Sequence, residues 1–416
     1  MLDRVIRNAR LHDGRVVDLG IAAGRIAAVS PDIEADGPAV EAGGCLVVPG
    51  FVETHLHLDK TCILDRCNIV EGTVAEAVRE TAAAKRAFTA EDVHARGSRL
   101  LDKRIVNGTT RIRTHVEVDP GIGLLAFDAL QPLARDYAWA VGIEFCIFPQ
   151  EGLLNNPGTD ALMVEALRRG ATVVGAAPYF DTDPRGQVDR VFEIAREFGA
   201  GIDMHLDLAD TTDGMQVEYV CRKTEEFGYG GRVTVGHVTQ MSLLPPERFG
   251  EIARRLADAG VAVTVLPATD LFLMGRAHTH ARPRGVVAAT EILACGGNCS
   301  IATNNVLNPF TPYGDAALVR MANLYANVCH VSRPADLAEC LAMVTSRAAA
   351  ILGVRDYGIE PGNPADLVLL NTADPALAVA EIAAPLWGMK AGRATFTRPR
   401  PTLHKPTEQS TTRGDA

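Results

Sequence analysis

The histidines of this chain gather where short apolar runs end. His55 and His57 close one such run, His205 and His237 end two later runs, and His115 lies within another. Side chains alternate along a β-strand, so His55 and His57 point to the same side and can share one ion. With His205 as a third imidazole and one open position, the set suits a catalytic Zn or Fe ion. A polar loop is the alternative reading of an isolated His-x-His pair.

The apolar runs alternate with helix-like segments along the middle of the chain, a rhythm typical of a parallel sheet. Eight such units close a (β/α)8 TIM barrel, in which active residues come from the C-terminal ends of the strands. An open, doubly wound sheet is the alternative, but no Gly-rich phosphate motif follows a strand. The predicted strands are 45–55, 109–118, 140–149, 171–180, 201–207, 232–237, 261–267 and 299–304.

The two ends of the chain have a different texture from the middle. Short apolar runs separated by turn residues fill both ends, which predicts strands there. We expect an α/β protein with a small β-sandwich domain built from residues 1–50 and 355–397, and a catalytic barrel over residues 51–354. The polar, Pro- and Thr-rich stretch 398–416 is predicted to be a mobile tail.

Composition excludes several classes of function. The net charge is −10 and the basic residues do not cluster, so nucleic acid is not an expected partner. No stretch reaches the ~18 apolar residues of a membrane span. The nine cysteines are irregularly spaced and form no C-x-x-C pair, which indicates reduced thiols and a cytoplasmic protein.

Several motifs resemble the amidohydrolase superfamily, and more narrowly its bacterial cytosine deaminases and s-triazine amidohydrolases. The resemblance spans nearly the whole chain and implies a barrel with a β-sandwich made by both termini. The motifs that carry it are Pro49–Lys60, Arg113–Val116, Phe148–Gly152, Gly236-His237, and 356–359 with 362–367.

The resemblance implies one divalent metal, Zn or Fe, held by the two first-strand histidines, His205 and a strand-8 aspartate. That aspartate is replaced here by Asn304. His237 matches the histidine that orients water and polarises the substrate, and Gln150 matches a glutamine that reads the substrate ring. No lysine ends the fourth strand, so a two-metal site is not expected.

Two departures from the family pattern remove proton carriers. Asn304 cannot accept a proton as an aspartate would, and Leu208 stands where the family has a general-acid carboxylate. Three explanations stay open: another group such as Asp207 substitutes, the substrate needs less proton help, or the site has lost metal or catalysis. The loss of a carboxylate also predicts weak or absent metal in part of the population.

Further residues are expected near the pocket. Lys60 and His115 are predicted to bind substrate, although a lysine at this position also fits a structural ion pair. Asp207 is predicted to share the inward direction of His205 and is a candidate catalytic residue. The basic, His-rich segment Asp270–Arg284 fits either a binding loop at the barrel mouth or a solvated surface loop.

These observations favour a hydrolase that cleaves a C–N bond of a small nitrogen heterocycle or cyclic amide through metal-activated water. The alternative is a metal-free or catalytically altered barrel that binds a small ligand. The expected partner is a small molecule, without nucleic acid or membrane, and a homo-oligomer is consistent with the resemblance.

Overall fold

The N-terminal segment forms short strands that belong to two different sheets. The structure is a computed structural model that describes residues 2–34 and 38–405. The first sheet has the order β3-β2-β1-β4, whereas β5 joins a sheet formed by the C-terminal part of the chain. The strands are β1 (Arg4–Arg10), β2 (Val16–Ala22), β3 (Arg25–Ser30), β4 (Ala39–Glu41) and β5 (Val47–Pro49).

Eight parallel strands then form the barrel in sequence order. The open side of this sheet is joined by a parallel bridge between Leu56 of the first barrel strand and Asn304, which follows the last. The barrel strands are β6 (Phe51–Leu56), β7 (Thr109–Glu117), β8 (Gly142–Phe148), β9 (Val173–Ala176), β10 (Gly201–Leu206), β11 (Val233–His237), β12 (Val261–Val265) and β13 (Cys299–Ile301).

Amphipathic helices connect the barrel strands and bury one face against them. Several begin at a side-chain cap, as where Thr73 accepts the amide of Glu76 and Thr89 that of Asp92. The helices are α1 (Val74–Lys85), α2 (Ala90–Val106), α3 (Leu125–Asp136), α4 (Thr159–Arg168), α5 (Pro184–Phe198), α6 (Val217–Phe227), α7 (Pro246–Ala259), α8 (Pro267–Leu273), α9 (Ala289–Ala294), α10 (Leu318–Val328), α11 (Pro334–Ala342), α12 (Ser346–Ile351) and α13 (Pro375–Ala380).

The C-terminal strands complete a small sandwich with the N-terminal ones. They are β14 (Leu367–Leu370), β15 (Pro385–Lys390) and β16 (Arg393–Thr397), and their sheet has the order β16-β15-β14-β5. Side chains from both ends of the chain, such as Leu19 and Met389, share one buried apolar cluster. The (β/α)8 barrel with a β-sandwich from both termini is therefore confirmed.

A buried ion pair braces the seam where the barrel closes. The Glu53 and Arg104 side chains are fully buried and lie 2.7 Å apart. The other carboxylate oxygen of Glu53 accepts the amides of His55 and Thr303, which belong to the two ends of the barrel. Glu53 therefore joins the first strand to the segment after the last.

The structure adjusts some sequence-based boundaries. The first predicted strand, 45–55, divides into β5 and β6, because the chain passes from the sandwich to the barrel at Gly50. The eighth strand ends at Ile301, before the predicted 304. In the predicted tail, Arg398 donates to the carbonyl of Val106 and Arg400 to the side chain of Asn371, while 406–416 lie outside the described residues.

None of the helices in the described ranges is both long enough and apolar enough to cross a bilayer.

Candidate metal centre and active site

Three imidazoles meet at the C-terminal ends of the first and fifth barrel strands. The Nε2 atom of His205 lies 3.0 Å from Nε2 of His55 and 3.1 Å from Nε2 of His57. Nitrogens that share a tetrahedral zinc at about 2.0–2.1 Å are separated by about 3.3 Å. The spacing of the three ring nitrogens is therefore close to that of a metal site.

The chemistry of the donor set also fits a divalent metal. All three rings are buried, and burial lowers the pKa values of His55, His57 and His205 well below their ordinary value. The rings are therefore neutral, as metal ligands must be. His57 donates from Nδ1 to the carbonyl of His115 at 3.2 Å, which leaves its Nε2 unprotonated and free to bind an ion.

A buried polar layer lies beneath the three histidines. His115 stacks on His55 with ring centroids 3.7 Å apart, and its Nε2 lies 3.4 Å from a carboxylate oxygen of Asp203. Arg113 donates to the other Asp203 oxygen at 2.9 Å. This location does not match the predicted contact of His115 with substrate, because the fully buried ring packs behind a candidate ligand.

His237 forms a short hydrogen bond with a carboxylate that is not among the predicted site residues. Its Nδ1 donates to Asp270, at the beginning of α8, over 2.5 Å. Burial raises the pKa of Asp270, and the bond to His237 acts in the opposite direction. On the other side of the ring, Nε2 faces the Nδ2 atom of Asn304 at 3.5 Å. The Asn304 Oδ1 atom is buried without a hydrogen-bond partner.

Strand-end residues of the site leave the extended conformation. Asp207, His237 and Asn304 have φ angles of 49°, 72° and 63°, in the left-handed region that non-glycine residues seldom adopt. Such a turn ends the alternation of side chains along a strand. Asp207 does not share the inward direction of His205 as predicted: its carboxylate accepts the amides of Gln216 and Val217 at the start of α6.

A chain of alternating charges lies on the other side of the cluster. The Nζ of Lys60 is 2.5 Å from Glu117 and donates to Oε1 of Gln150 at 3.1 Å. Glu117 also pairs with Lys85, whose Nζ contacts Asp119 at 2.7 Å. Lys85 pairs with Glu151 as well, at the partly exposed end of the chain of charges. Lys60 and Gln150 thus lie together beside the histidines.

The buried charges on this side stabilise one another. Burial alone would raise the pKa of Glu117, but Lys60 and Lys85 hold it below its ordinary value. Burial opposes the charge of Lys85, yet Glu117 and Asp119 raise its pKa. Asp59 differs: burial and the nearby Glu117 raise its pKa to about 6. The network therefore holds the ammonium group of Lys60 by its ion pair with Glu117.

Leu208 belongs to an apolar wall rather than to a polar site. It packs with Leu273 and Phe310 in a separate buried cluster, together with Ala77 and Met274. Phe310 reaches the charged side, because Nζ of Lys60 lies 4.5 Å from the centre of its ring. An apolar side chain thus occupies the position at which the resemblance implies a general acid.

Some residues of the site that were not predicted nevertheless have a recognisable signal in the sequence. Glu117 lies two positions after His115 on β7, so alternation places both on the same face. Asp270 follows the end of β12, where barrel enzymes carry active residues. Lys85 lies at the end of α1, and no local pattern connects it with Glu117.

Comparisons with known proteins identify relatives of this chain. The sequence profile described as "Amidohydrolase family" matches residues 142–395. The chain is 28% identical over 402 residues to N-isopropylammelide isopropyl amidohydrolase of Pseudomonas sp. (strain ADP), covering 94% of this chain and 96% of that protein.

Solved structures give the same result. The 5-methylcytosine deaminase from Klebsiella pneumoniae, liganded with 5-fluorocytosine, has a TM-score of 0.93 at 28% identity, covering 97% of this chain and 99% of that one. N-isopropylammelide isopropylaminohydrolase from Burkholderia multivorans has a TM-score of 0.84 at 30% identity, covering 95% and 98%. The resemblance to cytosine deaminase-like and s-triazine hydrolases is confirmed, and the chain belongs to the amidohydrolase family.

Proposed function

We propose that this protein hydrolyses a C–N bond of a small nitrogen heterocycle or cyclic amide. The observation that carries the proposal is the convergence of three neutral ring nitrogens, from His55, His57 and His205, beside a histidine–carboxylate pair. The relatives support the class of reaction, because their names describe deamination and removal of an alkylamine from a ring.

The three histidines would hold one divalent metal, Zn or Fe. Such an ion supplies activation of water at neutral pH. Asn304 has an uncommitted buried oxygen near the cluster and is the candidate for a weak fourth contact. An amide oxygen carries no net charge, so we expect weaker metal retention than with a carboxylate.

His237 and Asp270 would handle the proton in place of the missing carboxylates. Because Nδ1 of His237 is bonded to Asp270, the ring proton is held there and Nε2 is an acceptor. An acceptor held by a carboxylate behind it is the arrangement of a general base. We infer that Nε2 takes a proton from the attacking water and returns it to the leaving nitrogen.

Lys60 and Gln150 would orient the ring of the substrate. Because Oε1 of Gln150 already accepts from Lys60, its amide nitrogen remains to donate to a carbonyl or ring nitrogen. Glu117 holds the Lys60 ammonium from behind. This pair therefore favours a substrate with a hydrogen-bond acceptor on that edge.

The apolar wall favours a substrate with an apolar substituent. Leu208 and Phe310 offer no hydrogen bond to a second polar edge of the ring, and burying such an edge there would cost free energy. An alkyl group would bury apolar surface against them instead. We therefore expect an alkylated heterocycle to be a better substrate than its unsubstituted counterpart.

The rival proposal is a barrel that binds a small ligand without hydrolysis. Asn304 and Leu208 favour it, because each replaces a carboxylate that the family uses in proton transfer. The buried acceptor on His237 favours hydrolysis, since a binding protein has no need of a histidine oriented by a carboxylate.

Metal content and product release test the proposal together. The wild type, purified without added metal or chelator, would be analysed for metals and assayed for ammonia or alkylamine release. The panel would contain cytosine, 5-methylcytosine and N-isopropylammelide. We expect partial occupancy as purified, rising to about one Zn or Fe per chain after soaking, and release from an alkylated ring. Absence of metal after soaking in Zn and Fe would overturn the hydrolytic proposal.

The double variant Asn304→Asp with Leu208→Glu separates the two proposals. If the natural protein is an enzyme that relies on His237 and Asp270, restoring the two carboxylates lowers its activity on alkylated rings. If the double variant instead gains metal and activity that the wild type lacks, the natural protein is a binding protein.

A further inference from the structure

A surface pocket of about 470 Å³ lies outside the histidine site, where the loop after α8 meets the segment after β13. It combines three guanidinium groups with aromatic and aliphatic side chains, and no carboxylate lines it. We call it the arginine pocket. Its characteristic residues are Arg276, Arg282, Arg284, Phe272, Tyr313 and Leu324.

The three arginines are positioned by neutral groups. Arg276 donates to the carbonyl of Phe272, Arg282 to that of His278, and Arg284 to that of Val328. Among the residues that the structure describes, none of the three forms an ion pair with a carboxylate, whereas many other surface arginines do. In a chain with net charge −10, this leaves a local concentration of uncompensated positive charge.

The apolar side of the pocket is well defined. Phe272 and Tyr313 meet edge to face with ring centroids 5.6 Å apart, and the Arg276 guanidinium lies 4.4 Å from the centre of the Phe272 ring. Tyr313 is nevertheless 57% exposed, so much of its surface remains open to a ligand. A planar, apolar ligand body could stack here while its anionic group meets the guanidinium groups.

We propose that the arginine pocket is a binding site for a small organic anion with an apolar body, such as an aromatic carboxylate. Guanidinium groups bind carboxylates through paired, charge-assisted hydrogen bonds. The proposal does not depend on C–N hydrolysis, because it rests on residues outside the histidine site.

The arginine pocket and the active site share a thin partition. Phe272 and Met274 line the arginine pocket and also pack in the apolar wall with Leu208 and Phe310. The backbone of this loop is tied down where Asp210 accepts the amide of Gly275. The ligand class could therefore reach the pocket as an incoming substrate or as a separate regulator, and the two sources share the same chemistry.

Titration calorimetry with benzoate tests the site on the full chain. We expect saturable binding at one site, weakened at least about tenfold in the double variant Arg282→Gln with Arg284→Gln, because paired charge-assisted bonds are lost. Binding should also weaken when salt is raised. Benzamide, which lacks the charge, and inorganic phosphate, which lacks the apolar body, should each bind more weakly.

Matched variants keep the result interpretable. Arg99 and Arg393 are exposed and also lack an ion pair in the described residues, so Arg99→Gln with Arg393→Gln removes the same charge elsewhere and should leave benzoate binding unchanged. If the pocket double variant does not fold, Arg276→Gln alone replaces it, with at least a threefold loss expected.

A second set of measurements distinguishes an incoming substrate from a separate regulator as the ligand of the arginine pocket. Benzoate binding that survives both Gln150→Ala and removal of metal belongs to the arginine pocket, and a benzoate-dependent change in hydrolysis would then identify a regulator. Competition of benzoate with substrate, but only in protein with an intact arginine pocket, would identify a docking site for incoming substrate. Binding that is absent, unaffected by the arginine variants or abolished by Gln150→Ala overturns the proposal.

Discussion

The two sides of the histidine cluster hold charge in different ways. On the side of β6 to β8, buried lysines and carboxylates alternate, with Lys60 and Glu117 next to the site. On the side of β10 to β13, which we call the neutral side, Leu208 and Asn304 are uncharged. Of the carboxylates there, Asp270 is bonded to His237 and Asp207 to backbone amides. The first side holds the Lys60 ammonium by an ion pair, and the second holds the carboxylates of Asp270 and Asp207 through a ring nitrogen and backbone amides.

The difference concerns how each side compensates its buried carboxylates. A buried carboxylate is stable only when it is paired or hydrogen-bonded. On the neutral side, Asp270 is bonded to a ring nitrogen rather than to a lysine or arginine. In the proposed function, His237 takes the proton-transfer role, and this role requires Asp270 to stay in place.

The largest effect is expected from removing the histidine at which the two sides of the cluster meet. We expect His205→Ala to abolish metal retention and reduce hydrolysis to background, because two ring nitrogens hold an ion poorly. Elemental analysis and product release measure both. His94→Ala, a partly exposed histidine on α2, is the matched control; equal metal loss in both variants would contradict the assigned site.

A second variant tests the neutral side alone. Asp270→Asn keeps the shape of the residue but removes the charge that holds the His237 proton, so we expect kcat to fall about 10²–10⁴-fold. Metal content should not change. Asp136→Asn, at an exposed carboxylate, is the control, and an unchanged pH–rate profile in Asp270→Asn would show that His237 is not the base.

A third pair of variants tests the charge-rich side. Lys60→Met leaves the buried Glu117 with less compensation, so we expect the free energy of unfolding to fall by about 3–5 kcal/mol. Replacing both residues, as Lys60→Met with Glu117→Leu, should recover most of this loss. Equilibrium unfolding in urea measures each variant. A double variant that is less stable than the single one would contradict the pairing.

The smallest expected effect concerns the apolar wall. Leu208→Glu places a carboxylate against Phe310 and Leu273, and we expect a loss of about 1–3 kcal/mol in the free energy of unfolding. Leu208→Met preserves volume and should cost less than about 1.5 kcal/mol. Thermal or urea unfolding compares them. Equal stability of the glutamate variant and the wild type would mean that position 208 is open to water.

The sequence could predict the parts of the molecule that depend on local pattern. The βα rhythm led to the barrel, and alternation placed His55 and His57 on one face, where the structure also brings His205. Strands are predicted at both ends of the chain because short apolar runs alternate with turn residues there. These features repeat with the period of a single element, so a single sequence reveals them.

The features of the site that the sequence did not predict depend on backbone turns and on pairs of residues that lie far apart in the chain. Asp207 was assigned the wrong direction because its left-handed φ ends the strand alternation, which composition does not reveal. The pairing of Lys85 with Glu117 joins a helix end to a strand end. Asp270 begins a segment whose prediction as a binding or surface loop rests on its basic residues, whereas its carboxylate is bonded to His237.

The seam of the barrel sets the order in which the site can come into existence. Glu53 and Thr303, 250 positions apart in the chain, are hydrogen-bonded across it, and the backbone of His55 pairs there with that of Asn304. Joining such distant segments costs loop entropy that only late contacts can offset. On a growing chain, the surroundings of His55 and His57 are therefore complete only after nearly the whole barrel has been synthesised.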